Sequence, residues 1–123
     1  VKNMSESENL FTKIFGRKSC KSEIVDSEGV EVTFFNIGNS KIELVASSNL
    51  EGPISKYLER NCEGMHHIAF YVDDISEEMD RLQKEGIRLL NDPPRKGAGN
   101  KLICFLHPKD TNGVLIELCQ KIN

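Results

Sequence analysis

The chain has 123 residues, 38% of them hydrophobic and 28% charged, with a net charge of -3 and an isoelectric point near 5.6. That suits one domain with enough apolar content for a core. It has no basic block or basic–aromatic stripe, which argues against nucleic acid as a partner, and no apolar run near the roughly 18 residues of a membrane span.

No signal-peptide pattern is present, and the chain starts at Val1 rather than Met, so a segment ahead of it is expected. Cys20, Cys62, Cys104 and Cys119 form no C-x-x-C pair. They read as buried, reduced thiols of a cytosolic or matrix protein, and their spacing does not suit a zinc-thiolate site.

In chain order, residues 5–15 predict an amphipathic helix with Leu10, Phe11, Ile14 and Phe15 on one side and Gly16 as its stop. Strands are expected over 19–25, 30–37 and 41–46, separated by turns at Ser27-Glu28-Gly29 and Gly38-Asn39-Ser40. Pro53 opens a short helix from Ile54 to Arg60, which with Asn61 to Gly64 makes a connector. His66 to Val72 reads as the next strand. Ile75, Met79 and Leu82 define the apolar stripe of a helix ending at Gly86. Ile87 to Leu90 reads as a strand, Asp92 to Asn100 as a long turn, and Lys101 to Leu106 and Val114 to Cys119 as the last two strands.

The sequence repeats itself. Val1 to Glu6 resembles Val72 to Glu77 at an offset of 71, Val32 to Ile37 resembles Leu102 to His107 at 70, and Lys41 to Leu44 resembles Leu115 to Leu118 at 74. Such a period is too long for a solenoid unit and fits a duplicated half-domain. The second copy reads βαβββ and the first αβββ, its opening strand lying upstream of Val1. The expectation is one α+β domain over 1–123: a first module at 1–50, a connecting helix at 51–63 and a second module at 64–123. The strands would form a curled mixed sheet with helices outside it.

Strand alternation separates His66, Ile68, Phe70 and Val72, expected to face the helix layer, from His67, Ala69 and Tyr71, expected to line a cavity. Glu117 and Glu43 each stand between aliphatic residues of a strand, at equivalent repeat positions. A carboxylate there is costly unless it is paired, exposed or metal-bound. His67, Glu43 and Glu117, with a first-copy histidine upstream of Val1, would make a two-histidine, two-carboxylate metal site. Imidazole and carboxylate ligands suit Co²⁺, Mn²⁺, Ni²⁺, Zn²⁺ or Fe²⁺ without choosing among them. The alternatives are a core histidine and outward-facing strand acids. His66 reads as a packing or supporting residue. His107-Pro108-Lys109 reads either as a turn or as a substrate-gating or phosphate-contacting loop. Gly97-Ala98-Gly99 has no following helix and is not a phosphate loop.

The segments Gly64-Met65-His66-His67-Ile68-Ala69-Phe70-Tyr71-Val72, Phe105-Leu106-His107-Pro108-Lys109 and Asn112-Gly113-Val114-Leu115-Ile116-Glu117-Leu118 resemble the methylmalonyl-CoA epimerase family of the vicinal-oxygen-chelate (glyoxalase-like) superfamily. Gly29 to Val32, Ile37 to Leu44 and Gly52 to Leu58 are similar too, so the likeness covers essentially the whole chain. The resemblance implies two βαβββ modules. It also implies a divalent metal, Co²⁺ first and Zn²⁺, Mn²⁺ or Ni²⁺ next, held by His67, Glu117, Glu43 and the upstream histidine. The activity implied is epimerisation at the α-carbon of methylmalonyl-CoA through a metal-stabilised enolate, with Glu117 and then Glu43 as the proton-transferring residues. His107 and Lys109 would contact substrate, in a cytoplasmic (in a eukaryote, mitochondrial matrix) homodimer. Some relatives carry a catalytic glutamate near Val32; Glu31 is one position off, which turns it to the opposite face. Alternatives are a glyoxalase-I-like lyase and a non-catalytic binding module.

Overall fold

The computed structural model describes all residues from Val1 to Asn123. They form two compact units, Val1–Gly64 and Met65–Asn123. In the first, helix α1 (Met4–Phe15) precedes β1 (Lys21–Val25), β2 (Val30–Ile37), β3 (Ser40–Ser47) and helix α2 (Pro53–Asn61). The three strands form an antiparallel sheet in the order β1-β2-β3. Helix α1 begins because Asn3 accepts a hydrogen bond from the Glu6 amide at 2.9 Å, and it ends at Gly16, whose φ of 66° suits a residue without a Cβ. Its buried face, with Met4, Phe11 and Phe15, packs on Phe35, Leu44 and Ala46. Phe35 has no solvent exposure, and burying a side chain of that size contributes about 1.5–3 kcal/mol. The expected connector helix packs on β3 within this unit.

The second unit runs β4 (Ile68–Tyr71), α3 (Ile75–Lys84), β5 (Arg95–Gly97), β6 (Lys101–Leu106) and β7 (Ile116–Lys121), in a sheet of order β4-β7-β6-β5. β4 runs parallel to β7 and the other pairs are antiparallel, so this sheet is mixed. The Asp74 side chain caps α3 by accepting from Glu77 N at 2.9 Å, repeating Asn3 and Glu6 at the offset of 71. Ile75 repeats Met4 as the first buried residue of the helix. Gln120 Oε1 accepts from Ile75 N at 2.8 Å and ties α3 to β7. Ile75 and Met79 pack on Cys104, Leu106 and Leu118.

The α+β class and the βαβββ order of the second unit hold, but several elements differ from the expectation. Residues 87–90 form a single bridge, Leu89 to Leu106, not a strand. Around it, Leu90 N donates to Phe105 O and His107 N to Arg88 O. The two donors that would extend the ladder go elsewhere: Arg88 N to the Asp110 carboxylate, and Phe105 N to the Asn91 side chain. The third strand is supplied instead by β5, inside the expected long turn, which pairs with β6 from Gly97–Lys101 to Arg95–Ile103. A Cβ on Gly97 would lie 2.8 Å from Ile103 Cδ1, so a larger residue there would force the Ile103 side chain to shift.

β7 starts two residues later than expected, at Ile116. Ile68 and Phe70 share the face of Leu118 yet stay 41% and 52% exposed, because α3 sits over β6 and β7 and leaves the edge strand β4 uncovered. If Glu43 and Glu117 are equivalent, the registers Phe34–Glu43 and Phe105–Glu117 relate β2 to β6 by 71, not 70. Cys104 and Cys119 are buried as expected, but Cys20 and Cys62 are exposed; none is in a disulfide. No helix is long and apolar enough to cross a membrane.

Candidate functional site

β7 alternates Ile116, Leu118 and Gln120 toward α3 with Glu117, Cys119 and Lys121 on the other face. Register places Ala69 on one side of Glu117 and Phe105 on the other. Ala69 is small, so the face beside the carboxylate is not filled from β4. His67 stands just ahead of β4, with Nε2 3.4 Å from Glu117 Oε2. Their side chains are only 14% and 13% exposed. The Phe105 ring meets the His67 ring edge to face, with centroids 6.1 Å apart. The sequence-derived pairing of His67 with Glu117 is therefore present in space.

His66 was expected to face the helix layer. Because β4 begins only at Ile68, the two histidines escape strand alternation, and their Nδ1 atoms lie 3.1 Å apart. Further along the same face, Lys101 Nζ and Lys121 Nζ stand 5.1 and 5.5 Å from the Tyr71 ring centroid, and the Arg95 guanidinium carbon 6.0 Å from that of Phe105. Lys101 is half-buried against this ring.

In the first unit, Glu43 is half-buried in β3 and pairs in register with Phe34, on the face opposite α1. Glu31 alternates to the other face, with Thr33 and Phe35, as the one-position offset had implied. His107 and Lys109 flank a 3₁₀ turn over Pro108–Asp110. His107 Nδ1 accepts from Lys109 N at 3.2 Å, and Asp110 takes both the backbone and the guanidinium of Arg88 at 2.9–3.0 Å. Those hydrogen bonds from Arg88 hold the Asp110 carboxyl well below the usual range. The turn reading of this segment is present. Asn91 and the Arg88–Asp110 clasp were not found from sequence; an Asn beside a Pro-rich turn was the only signal.

His67 and Glu117 suit a divalent ion: two ligands about 2.1 Å from one tetrahedral ion lie about 3.4 Å apart. No group of three or more His, Cys, Asp and Glu side chains gathers as a metal site, so the fit is that of a ligand pair. A concavity of about 720 Å³ lies elsewhere, along α3, and its carboxylates include Asp74, Glu77 and Asp80. It contains neither member of the pair.

The family model of the Glyoxalase/Bleomycin resistance protein/Dioxygenase superfamily matches residues 1–105. The mitochondrial methylmalonyl-CoA epimerase of Mus musculus is 37% identical over 121 residues, covering 98% of this chain and 68% of its own. The ethylmalonyl-CoA/methylmalonyl-CoA epimerase of Cereibacter sphaeroides is 46% identical over 94 residues, covering 75% and 70%. A Streptomyces coelicolor methylmalonyl-CoA epimerase variant, solved in complex with 2-nitronate-propionyl-CoA, superposes with a TM-score of 0.94 at 28% identity, over 99% of this chain and 91% of that one. The chain belongs to the glyoxalase-like vicinal-oxygen-chelate superfamily and, within it, to the methylmalonyl-CoA epimerase family. It is accordingly an isomerase of the epimerase type.

Proposed function

We propose that the protein interconverts the two epimers of methylmalonyl-CoA in a metal-dependent reaction, moving the proton on the carbon between the thioester and the carboxylate. Family membership supports this choice of substrate. The observation that carries the site is the half-buried His67–Glu117 pair beside Ala69.

The bond to break is a C–H made acidic by two flanking carbonyl groups, so the protein must provide a base and then an acid. An ionised carboxylate only accepts, and once protonated it donates. Glu117 is held by β7 with Phe105 beside it in register and its side chain only 13% exposed, and it takes the proton from one face of the carbon. Glu43, at the equivalent position of the first unit, is the second candidate, for return of a proton. Each positioned transfer is worth about 10²–10⁴-fold. His67 and Glu117 would hold the metal, with Glu43 as the further ligand that the family resemblance implies. A bound Co²⁺, or else Zn²⁺, Mn²⁺ or Ni²⁺, supplies Lewis-acid stabilisation, worth several kcal/mol, for the charge that develops as the proton leaves. Lys109, exposed on its turn, is the candidate contact for the anionic part of the substrate. His107, whose Nδ1 caps that turn, can contribute only through Nε2. A homodimer is the assembly proposed.

The test is α-proton exchange. Co²⁺-loaded protein is incubated in D₂O with one epimer of methylmalonyl-CoA. Deuterium uptake with loss of optical purity is expected, falling about 10²–10⁴-fold in Glu117→Gln. Substrate binding with no exchange refutes the epimerase reading; turnover of a glutathione hemithioacetal would put a glyoxalase-like lyase in its place.

A further inference from the structure

In a pleated strand, His66 and His67 would point to opposite faces. Here the strand begins only at Ile68, and the two rings meet edge to face with centroids 5.3 Å apart and Nδ1 atoms 3.1 Å apart. Two ring nitrogens share a hydrogen bond only if one carries a proton and the other does not. His67 Nε2 is the nitrogen on the Glu117 side. A neutral histidine that gives Nε2 to a cation keeps its one ring proton on Nδ1. His67 Nδ1 then donates, His66 Nδ1 accepts, and the His66 proton stands on Nε2.

We infer that His66 is a positioning residue that holds His67 in the tautomer and ring orientation needed to bind the metal through Nε2. The inference rests on the metal reading proposed above. Ligating histidines commonly donate their second N–H to a carboxylate, a carbonyl or water. A neighbouring imidazole does the same work while adding no negative charge beside Glu117. It also accounts for the late start of β4: a regular strand through His66 would carry its ring away from His67.

The experiment measures Zn²⁺ affinity by competition with a chromophoric chelator, for the wild type, His66→Phe and His66→Asn. Phe keeps the ring and removes the acceptor; Asn restores an acceptor oxygen near the position of Nδ1. His66→Phe should lose about ten- to a hundredfold in affinity, and His66→Asn should recover most of it. In the Zn²⁺-loaded wild type, ¹⁵N NMR should show His66 protonated on Nε2 and His67 on Nδ1. Unchanged affinity in His66→Phe, an Asn variant as weak as Phe, or a His66 protonated on Nδ1 overturns the inference while leaving the metal site standing. A wild type that binds no Zn²⁺ or Co²⁺ overturns the metal reading, and this role with it.

Discussion

Replacing Asn91 with Ala probes the place where the second sheet departs from regular pairing. Asn91 Oδ1 accepts from Phe105 N at 2.9 Å, and Nδ2 donates to Ile103 O at 3.1 Å and to Pro93 O at 3.3 Å. The first two bonds are partly buried; the third is exposed and open to water. Stranding the Phe105 amide costs about 1–3 kcal/mol, and the other buried bond has a net worth of about 1 kcal/mol or less. The expected loss is therefore about 1–4 kcal/mol, or a fall in Tm of roughly 3–20 °C at this chain length. Urea unfolding followed by circular dichroism gives the free energy, and hydrogen exchange reads the Phe105 amide itself. Asn91→Asp keeps the acceptor for Phe105 but sets a carboxylate against the Ile103 carbonyl, so Phe105 protection should survive while stability still falls. An Asn91→Ala variant within about 0.5 kcal/mol of wild type, with Phe105 equally protected, refutes the reasoning.

Ile75→Ala should cost about 3 kcal/mol and Met4→Ala about 2 kcal/mol, because the first is 1% exposed and the second 9%. Their clusters share no residue, so the double variant should show the sum in urea titrations; a strongly non-additive result would count against two separate cores. In native protein at pH 8, Ellman's reagent should rapidly modify two thiols, Cys20 and Cys62. Cys104 is fully buried, and burial pushes its thiol up to about 11; Cys119 is 1% exposed, so a third fast equivalent would contradict the fold. Asp110 is held below its ordinary value by the Arg88 hydrogen bonds, so its contribution to stability is present above about pH 4, its unfolded range, and fades as pH falls toward the lowered folded value. The stability gap between wild type and Asp110→Asn should accordingly be full at pH 7 and shrink below pH 4, and a gap that widens on acidification would be inconsistent with the clasp.

Both long helices were legible because each carries an apolar stripe closed by a glycine, Gly16 or Gly86; the caps Asn3 and Asp74, which the repeat duplicates, emerged only in the structure. The three strands of the first unit were legible because apolar and β-branched runs are separated by short Gly-containing turns. Residues 87–90 misled because Asn91 and Asp110 take the ladder donors, and side-chain acceptors distant in sequence leave no periodic trace. β5 was hidden in a stretch rich in Pro and Gly, where only the pairing with β6 makes a strand. At the site, alternation located Glu117 on the right face, and the family resemblance chose His67 over His66. The contact between the two rings was not legible, since it depends on a strand starting two residues later than the apolar pattern suggests.

The parallel pairing of β4 with β7 sets Ala69 beside Glu117, although the two belong to opposite ends of the second unit's sequence. His67 and Glu117 meet only after about fifty intervening residues have been gathered in, a closure whose entropic cost grows with loop length. Any cation gripping both side chains would act as a clasp on that loop. It would bind the folded unit in preference to the open chain, and so raise the unit's stability with the logarithm of its own concentration. Chelation would then loosen β4, the edge strand, before it disturbed the helix-covered centre of the sheet. On the proposed reading, the chemistry and the fastening of the fold in this unit would share the same two residues.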